Sequence, residues 1–496
     1  MALDCQVSHF RAFATLPLSR EIMRLRLEFL PALLLPVVVF AQTPARPAEV
    51  QQFVSVEASV TALTHVRVID GTGAPARDGQ TVVLDHGIIK AVGDSAHVAI
   101  PADAKVLDLA GRTVMPGMVM VHEHMFYPSG GGSVYNEQAF SFPRLYLAGG
   151  VTTARTAGNM AGYADLELKR AIDSGLTVGP SLDVTAPYLN GPGLPIYQVH
   201  ALSGPADATQ MVNHWADRGA TSFKAYMHIT RDELRAAVVA AHKRKLKITG
   251  HLCSVSFREA ATLGIDNLEH GLVVASDFVK DKKADTCPPG GVIPSIAAVD
   301  VTGPDVQSLI KFLIAKKVAL TSTLTVFETF TPGRPQAAKG AVDAMLPEAR
   351  DQYIRRWTQI SAQTTSPYAS VFPKEMQFEL AFYRAGGQLL AGTDPTGYGG
   401  VVAGYANQRE LELLVEAGLT PLEAIKVVTL DGARYLGRAN RVGSIAVGKR
   451  ADLIVIKGDP SSRIADIENI ETVFKDGLGY DSVKLFASVK GQVGLH

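Results

Sequence analysis

Short apolar segments alternate with amphipathic segments through the middle of the chain, from about residue 116 to residue 440. Eight of the apolar segments have the length and composition of strands that are buried on both faces of a parallel sheet. They read GMVMVH, VTTARTA, SLDVTAP, TSFKAYM, LKITGHL, IDNLEHG, VALTSTL and QLLAGTD. Parallel strands that alternate with helices form βα units, so the pattern predicts an α/β fold, a (β/α)8 TIM barrel.

Helix start signals lie between these strands. Thr230 is followed three residues later by Glu233, and Thr420 is followed in the same way by Glu423, with Pro421 at the first helical position. Both segments match a capping box, in which the two side chains satisfy backbone amides at the start of a helix.

The two ends of the chain are β-rich and differ from the middle. Valine, isoleucine and leucine alternate with polar residues in VTALTHVRVIDGTG, QTVVLDHGIIKAVG and, near the C-terminus, GKRADLIVIKGDP. Asp-Gly and His-Gly turns between such segments predict hairpins of an antiparallel sheet. We predict a small β-sandwich domain of residues 42–115 and 441–496, beside a barrel of residues 116–440.

The first 41 residues predict a leader and a signal peptide. Arg24 and Arg26 precede an apolar segment from Phe29 to Phe40, and Ala41 supplies a small residue before Gln42. The apolar segment is short for a membrane span, so we expect cleavage, no stable span afterwards, and a periplasmic or secreted protein. A retained anchor is the alternative, and Met1 to Ile22 is interpreted as an upstream start.

Charge and cysteine content narrow the class of protein. The chain has 48 basic and 48 acidic residues, which disfavours nucleic acid or an acidic membrane surface as a partner. A globular enzyme with a small-molecule substrate is expected, and a homo-oligomer remains open. Cys253 and Cys287 could form a disulfide in an oxidising compartment, but we expect two free thiols.

Polar side chains follow the apolar strands at their carboxyl ends. His122 and His124 are two residues apart, so they face one side of the first strand, while Glu123 faces the other. Converging imidazoles form half of a transition-metal site, although two polar residues leaving a strand explain the same pattern. The later strands add four more groups, Lys224, His251, His270 and Asp394. Each has a structural explanation singly, but a barrel gathers all six at one mouth, which favours a metal site.

These motifs resemble the amidohydrolase superfamily, specifically the imidazolonepropionase-related branch that includes binuclear dipeptidases. The matching segments are PGMVMVHEH, GVTTARTAG, GTDPTG and EAIKVVTLDGARYLG followed by GSIAVGKRADLIVI. His-x-His alone is a weak signal, whereas this ordered set is specific and spans most of the chain. The resemblance implies the barrel and the split β-domain that the patterns predict.

The resemblance also implies a ligand set for two divalent metal ions, with zinc expected. His122, His124 and Asp394 would bind one ion, His251 and His270 the other, and a carboxylated Lys224 would bridge them. The alternative is an uncarboxylated Lys224 with a single metal ion.

The function implied is hydrolysis of an amide bond, peptide-like or in an N-acyl amino acid, by a metal-activated hydroxide. The alternative is a cyclic amide, lactone or ester hydrolase on the same centre. Asp394 is the candidate general base, and Tyr226 and His228 are candidate substrate contacts. Arg155 either reaches a substrate anion or forms an ion pair outside the barrel, and we expect the latter.

Two insertions follow predicted strands and therefore belong to the catalytic side. They cover residues 276–305 and 326–374, and the second contains the amphipathic segment VDAMLPEARDQYIRRWTQISAQ. Its aromatic residues either line a substrate pocket or pack the helix, and they are Phe327, Phe330, Tyr353 and Trp357. The glycine run 130–132 lacks the lysine of a phosphate-binding loop and predicts a flexible rim.

Overall fold

A computed structural model of the chain describes residues 46–129 and 133–494. The predicted leader and signal peptide, residues 1–41, and the glycine run 130–132 lie outside the described residues. None of the described helices is both long enough and apolar enough to cross a membrane.

The strands of the described chain are numbered here in chain order. They are β1 Val54–Val56, β2 Val60–Val68, β3 Arg77–Asp85, β4 Ile88–Asp94, β5 Lys105–Asp108, β6 Arg112–Pro116, β7 Met118–Glu123, β8 Phe126–Ser129, β9 Val134–Glu137, β10 Val151–Thr156, β11 Ser181–Asp183, β12 Ser222–Ala225, β13 Lys247–Gly250, β14 Asn267–Glu269, β15 Ala319–Ser322, β16 Leu389–Ala391, β17 Leu453–Lys457, β18 Ile470–Lys475 and β19 Leu478–Asp481.

The α-helices follow the same convention. They are α1 Ala48–Gln51, α2 Ser141–Ala148, α3 Tyr163–Asp173, α4 Pro205–Asp217, α5 Arg231–Lys243, α6 Phe257–Leu263, α7 Ile293–Ala298, α8 Pro304–Ala315, α9 Leu324–Glu328, α10 Lys339–Ala344, α11 Pro347–Ser361, α12 Tyr368–Arg384, α13 Tyr405–Glu416, α14 Pro421–Lys426, α15 Gly432–Tyr435 and α16 Ser482–Ala487. Short 3-10 helices cover Gly271–Val274, Ser276–Phe278 and Ile464–Glu468, and a π-helical turn covers Val427–Asp431.

All eight predicted strands of the middle region are confirmed, as β7 and β10 to β16. They form a three-stranded parallel sheet in the order β11-β10-β7 and a five-stranded parallel sheet in the order β12-β13-β14-β15-β16. Backbone hydrogen bonds join the two sheets at both edges. The Ala186 amide donates to the Ser222 carbonyl at 3.0 Å, and the Thr393 amide donates to the His122 carbonyl at 3.0 Å. The middle of the chain is therefore a mixed α/β fold built on parallel strands.

The β-rich ends of the described chain share one nine-stranded sheet, in the order β1-β19-β18-β17-β6-β2-β3-β4, with β5 paired to β2. The expectation of a purely antiparallel sheet is wrong at one strand. Along one edge of β2, Thr61–Thr64 pair in parallel with β5, and Arg67–Val68 pair in parallel with β6. Side-chain alternation predicts where strands lie but not the direction of their partners. The domain boundaries remain a prediction.

Both predicted capping boxes are confirmed, at the starts of α5 and α14. The Thr230 amide donates to Glu233 Oε2 at 2.9 Å, and the Thr420 amide donates to Glu423 Oε2 at 2.8 Å. The amphipathic segment of the second insertion is divided between α10 and α11, because α11 begins at Pro347. Proline suits the first turn of a helix but not its interior, so the periodic pattern of the sequence continues across the boundary between two helices.

Cys253 and Cys287 form a disulfide, so the expectation of two free thiols is wrong. Cys253 follows β13 and Cys287 lies in the first insertion, 34 residues further along the chain. The spacing of two cysteines in a sequence does not say whether the fold brings them together. The bond ties the insertion to the loop that follows His251.

We expect the double variant Cys253→Ser, Cys287→Ser to be less stable than the native chain by about 3–4 kcal/mol, because the unfolded state loses the constraint on this loop. Urea denaturation of both proteins would measure the difference. Addition of a thiol reductant should lower the midpoint of the native protein and leave that of the variant unchanged. Equal midpoints of the two proteins under non-reducing conditions would contradict the disulfide.

Candidate metal centre

The six predicted ligand residues meet at the carboxyl ends of five parallel strands. His122 lies in β7 and His124 directly after it, Lys224 lies in β12, and the other three follow β13, β14 and β16. Because the strands run in the same direction, their carboxyl ends open onto one side of the sheets. All six side chains are buried or nearly so.

Asp394 is the centre of the cluster. Its Oδ1 lies 3.1 Å from His124 Nε2 and 3.6 Å from His122 Nε2, and its Oδ2 lies 3.8 Å from His270 Nε2. Lys224 Nζ lies 3.2 Å from His122 Nε2. The ring of His251 lies 4.4 Å, centroid to centroid, from that of His270. The structure therefore brings all six together, and His122, His124 and Asp394 offer ligand atoms within 4.8 Å of one another.

The histidine nitrogens fit a metal ion. His124 Nδ1 donates to the Gly158 carbonyl at 2.9 Å, His122 Nδ1 donates to Glu269 Oε2 at 2.7 Å, and His270 Nδ1 lies 2.8 Å from Thr323 Oγ1. Metal-binding imidazoles commonly use their second nitrogen in this way, because the outer hydrogen bond fixes the ring and its tautomer. The Nε2 atoms of His124 and His270 are buried and make no hydrogen bond. A cation would satisfy both.

Burial sets the protonation states that a metal site needs. It lowers the pKa of His124 to about 4 and that of His251 to about 3, so both imidazoles are neutral ligands at pH 7. Burial also lowers the pKa of Lys224 to about 8, which increases the fraction of neutral amine. Burial alone would raise the pKa of Asp394, but the neighbouring histidines outweigh it and hold this pKa well below its usual range.

Two of these residues have an unusual backbone conformation. His270 has a φ of 67° and Asp394 a φ of 51°, both in the left-handed region. For a residue other than glycine this conformation costs on the order of 1 kcal/mol and is common at functional sites. Backbone hydrogen bonds hold each position, from the His270 amide to the Thr321 carbonyl and from the Asp394 amide to the His122 carbonyl.

A buried ion pair lies beneath the centre. Arg155 Nη2 donates to Glu269 Oε1 at 2.7 Å, and the other oxygen of Glu269 accepts from His122. Arg155 Nε also donates to the Val121 carbonyl at 2.6 Å, and the side chain is almost fully buried. The expectation that Arg155 forms an ion pair outside the barrel is wrong, because its guanidinium faces inward among the strands, where the Glu269 carboxylate compensates its charge.

Glu123 faces away from the cluster, as the strand alternation predicts. Its carboxyl contacts the Thr393 hydroxyl and accepts a hydrogen bond of 2.8 Å from Asn407 Nδ2. Burial raises the pKa of Glu123 to about 8, so the group is held as a neutral, hydrogen-bonded acid.

Tyr226 lies beside the centre, with its ring centroid 4.9 Å from that of His251. It lines a small cavity together with Lys224, His251 and Asp394. His228 is directed elsewhere, since its Nδ1 lies 3.1 Å from the Pro192 carbonyl oxygen. The structure therefore brings Tyr226 to the predicted site but does not bring the His228 imidazole there.

The aromatic residues of the second insertion divide into two pairs. The Phe327 ring lies 5.7 Å from that of His270, and Phe330 lies 6.2 Å beyond Phe327. Tyr353 and Trp357 line a separate cavity of about 520 Å³ between α10, α11 and α13. Only the first pair is in a position to face the centre.

Several known proteins are similar to this chain in sequence or in fold. Residues 383–478 match the amidohydrolase family. An imidazolonepropionase of Geobacillus sp. is 25% identical over 400 residues, which cover 76% of this chain and 83% of the relative. The fold is similar to that of a Xaa-Pro dipeptidase with bound methionine in its active site, at 22% identity and a TM-score of 0.64 over 85% of this chain and 100% of that one. The chain is therefore similar to the amidohydrolase family over residues 383–478 and to an imidazolonepropionase over most of its length.

One further relative matches a short segment of the chain, and one further solved structure matches most of it. The enamidase of Eubacterium barkeri is 35% identical over 86 residues, which are 17% of this chain. That segment spans 22% of the enamidase, about a fifth of its length. The A. niger ochratoxinase has a similar fold, with 20% identity and a TM-score of 0.58 over 86% of this chain and 96% of that one.

Several residues of the site were not predicted from the sequence. Glu269 precedes His270 and shares a strand face with Asn267, so two polar residues face one side of a short apolar strand. That pattern could have indicated a polar contact inside the sheet. Phe126 and Tyr188, which border the cavity, resemble ordinary core residues in the sequence.

We expect Glu269→Gln to weaken divalent metal binding by about 10- to 100-fold, because an amide holds the His122 tautomer less firmly than a carboxylate. Competition with a chromophoric chelator would measure this affinity. Glu471→Gln is the matched control, since it removes a carboxylate that pairs with Arg112 at the surface. Unchanged affinity in folded Glu269→Gln protein would show that this carboxylate does not support the centre.

Proposed function

We propose that this chain is a metal-dependent hydrolase that cleaves an amide bond. The supporting observation is the buried cluster of four histidines, Lys224 and Asp394, in which two imidazole nitrogens lack any hydrogen-bond partner. Similarity to the amidohydrolase family, to an enamidase and to an imidazolonepropionase supports hydrolysis of amide or cyclic amide bonds as the reaction class. The eight parallel strands would form a closed (β/α)8 barrel, in agreement with the hydrogen bonds that join the two sheets at both edges.

The metal ligands divide into two sets. His122, His124 and Asp394 would hold one divalent ion, and His251 and His270 would hold the other. Lys224, carboxylated by carbon dioxide, would bridge them, since an ammonium cannot bind a cation whereas a carbamate offers two anionic oxygens. Zinc is proposed because imidazole and carboxylate ligands suit it. When bound, such ions lower the pKa of a water molecule and polarise the scissile carbonyl.

The residues of the chain then supply proton transfer and orientation. Asp394 remains ionised in its buried site, so it accepts a proton from the attacking water and passes it to the leaving amine. Tyr226 keeps its proton because burial raises its pKa, and its hydroxyl donates a hydrogen bond to the developing oxyanion. Burial of the cluster excludes bulk water, which strengthens both interactions.

Two further parts of the proposal concern substrate and location. Peptide-like amides and N-acyl amino acids are the first substrate class, and cyclic amides, lactones or esters are the alternative on the same centre. We also propose export through the signal peptide within residues 1–41, to the periplasm or beyond. The disulfide between Cys253 and Cys287 favours an oxidising compartment.

We expect the purified chain to bind about two divalent ions and the variant Lys224→Ala to bind about one, with loss of activity, because the bridging ligand is removed. Inductively coupled plasma mass spectrometry would give the metal content. Lys247→Ala is the control, since Lys247 lies at the amino end of the neighbouring strand β13. Equal metal content and full turnover in Lys224→Ala would rule out the bridging role.

We expect amides to be hydrolysed in preference to lactones and esters. A screen of N-acyl amino acids, dipeptides, anilides and cyclic amides against lactones, at matched concentrations and with zinc present, would measure kcat/KM for each class. Turnover of lactones or esters alone would favour the alternative function.

A further inference from the structure

The small cavity beside the centre has two unlike walls. Its volume is about 50 Å³, and one wall consists of Lys224, His251 and Asp394. The remaining lining side chains carry no charge and are called here the uncharged wall, which consists of Phe126, Tyr135, Met160, Tyr188, Ile196, Tyr226 and Thr396. Since one water molecule takes up about 30 Å³ of the liquid, the space admits a group of only a few heavy atoms.

The uncharged wall is packed directly against the ligand residues. The Phe126 ring stacks on His124 with centroids 4.3 Å apart, and Tyr188 contacts Tyr226 with centroids 4.6 Å apart. Phe126 also contacts Tyr135, at 5.1 Å. Burial raises the pKa of Tyr135 to about 12, so its hydroxyl remains neutral. A substrate at the centre therefore has this wall as its neighbour.

No side chain outside the ligand set offers a cation to a substrate anion among the described residues that line this cavity. Among the described residues that line the cavity, Lys224 has the sole cationic side chain, and it belongs to the ligand set. Arg155 pairs with Glu269 beneath the centre, and the His228 imidazole lies against the Pro192 carbonyl.

We infer that the amide substrate places a small, uncharged, apolar substituent in this cavity, and not a free carboxylate. A carboxylate there would lose its hydration without gaining a cationic side chain outside the ligand set, and the proposed ions would be engaged by the attacking water and the scissile carbonyl. An apolar group instead gains contact with the aromatic wall. The inference rests on the proposed function and specifies its substrate. It favours neutral amides over peptides or N-acyl amino acids that present their carboxylate at this position.

Matched anilides test the inference on the native, zinc-loaded protein. Acetanilide would be compared with 4-acetamidobenzoate, and N-phenylbutyramide with N-phenylsuccinamate, so that the carboxylate lies on either side of the scissile bond. We expect kcat/KM, measured from the amine released, to be about tenfold or more lower for at least one carboxylate-bearing anilide than for its neutral partner. Neither carboxylate-bearing anilide should have the higher kcat/KM of its pair. Loss of less than tenfold by both, or a gain by either, would overturn the inference.

Binding separates this inference from the proposed function. If no amide, anilide or ester in either screen is hydrolysed by protein that carries its metal, the proposed function fails. Calorimetric titration of the same protein with the four anilides still decides the substrate class. We expect at least one neutral anilide to bind about tenfold more tightly than its carboxylate partner. Tighter binding of the carboxylates, or no neutral binding at millimolar concentration, would overturn the inference.

A designed cation in the wall provides a gain-of-function test. Met160 lines the cavity and is 8% exposed, so Met160→Lys places an ammonium group there, with Met160→Gln as the uncharged control. We expect the ratio of carboxylate to neutral kcat/KM to rise about tenfold in the lysine variant relative to the glutamine variant. An unchanged ratio in folded Met160→Lys protein would overturn the inference. If that variant does not fold, the anilide pairs on the native protein decide.

Discussion

The Glu269 carboxylate, buried between Arg155 and His122, is the interaction on which the centre depends. Burial alone would raise the pKa of Glu269, but His122 and Arg155 reverse this and hold the carboxylate ionised. An unpaired charge at this depth would cost several kcal/mol, so neither Glu269 nor Arg155 is tolerable there alone. Because one oxygen of Glu269 binds Arg155 and the other binds His122, the ion pair also orients the first ligand of the centre.

A second group of buried carboxyls supports the other side of the centre. Ser322 Oγ lies 2.7 Å from both Glu379 Oε2 and Glu410 Oε1, and Glu410 Oε2 accepts from the Thr325 amide at 3.0 Å. Glu375 Oε2 accepts from the Val273 amide, just beyond His270. Burial raises the pKa of all three acids, to about 7 for Glu410 and about 8 for Glu375. Through these hydrogen bonds, the three acids stabilise the two loops that carry His270 and Thr323.

The sequence predicts what depends on neighbours along the chain. Strand ends, capping boxes and the side of β7 that carries His122 and His124 follow from local periodicity. Parallel strands are enough to bring the six ligand residues together. The partner of Arg155, the direction of His228 and the Cys253–Cys287 bond depend on residues far away in sequence. The periodicity of a sequence does not indicate how close such residues lie in space. The left-handed backbone at His270 and Asp394 is likewise imposed by the surrounding strands, not by residue type.

Opposite charges and hydrogen bonds arrange the side chains of the cluster. The carboxylates of Glu269 and Asp394 favour the cationic form of the buried Lys224 amine, and the neighbouring imidazoles favour the anionic form of Asp394. The charges of the cluster therefore partly compensate one another inside the protein. His124 and His270 already point their Nε2 atoms into the cluster, because other hydrogen bonds occupy Nδ1. The strands and these hydrogen bonds therefore orient the ligand atoms toward one another.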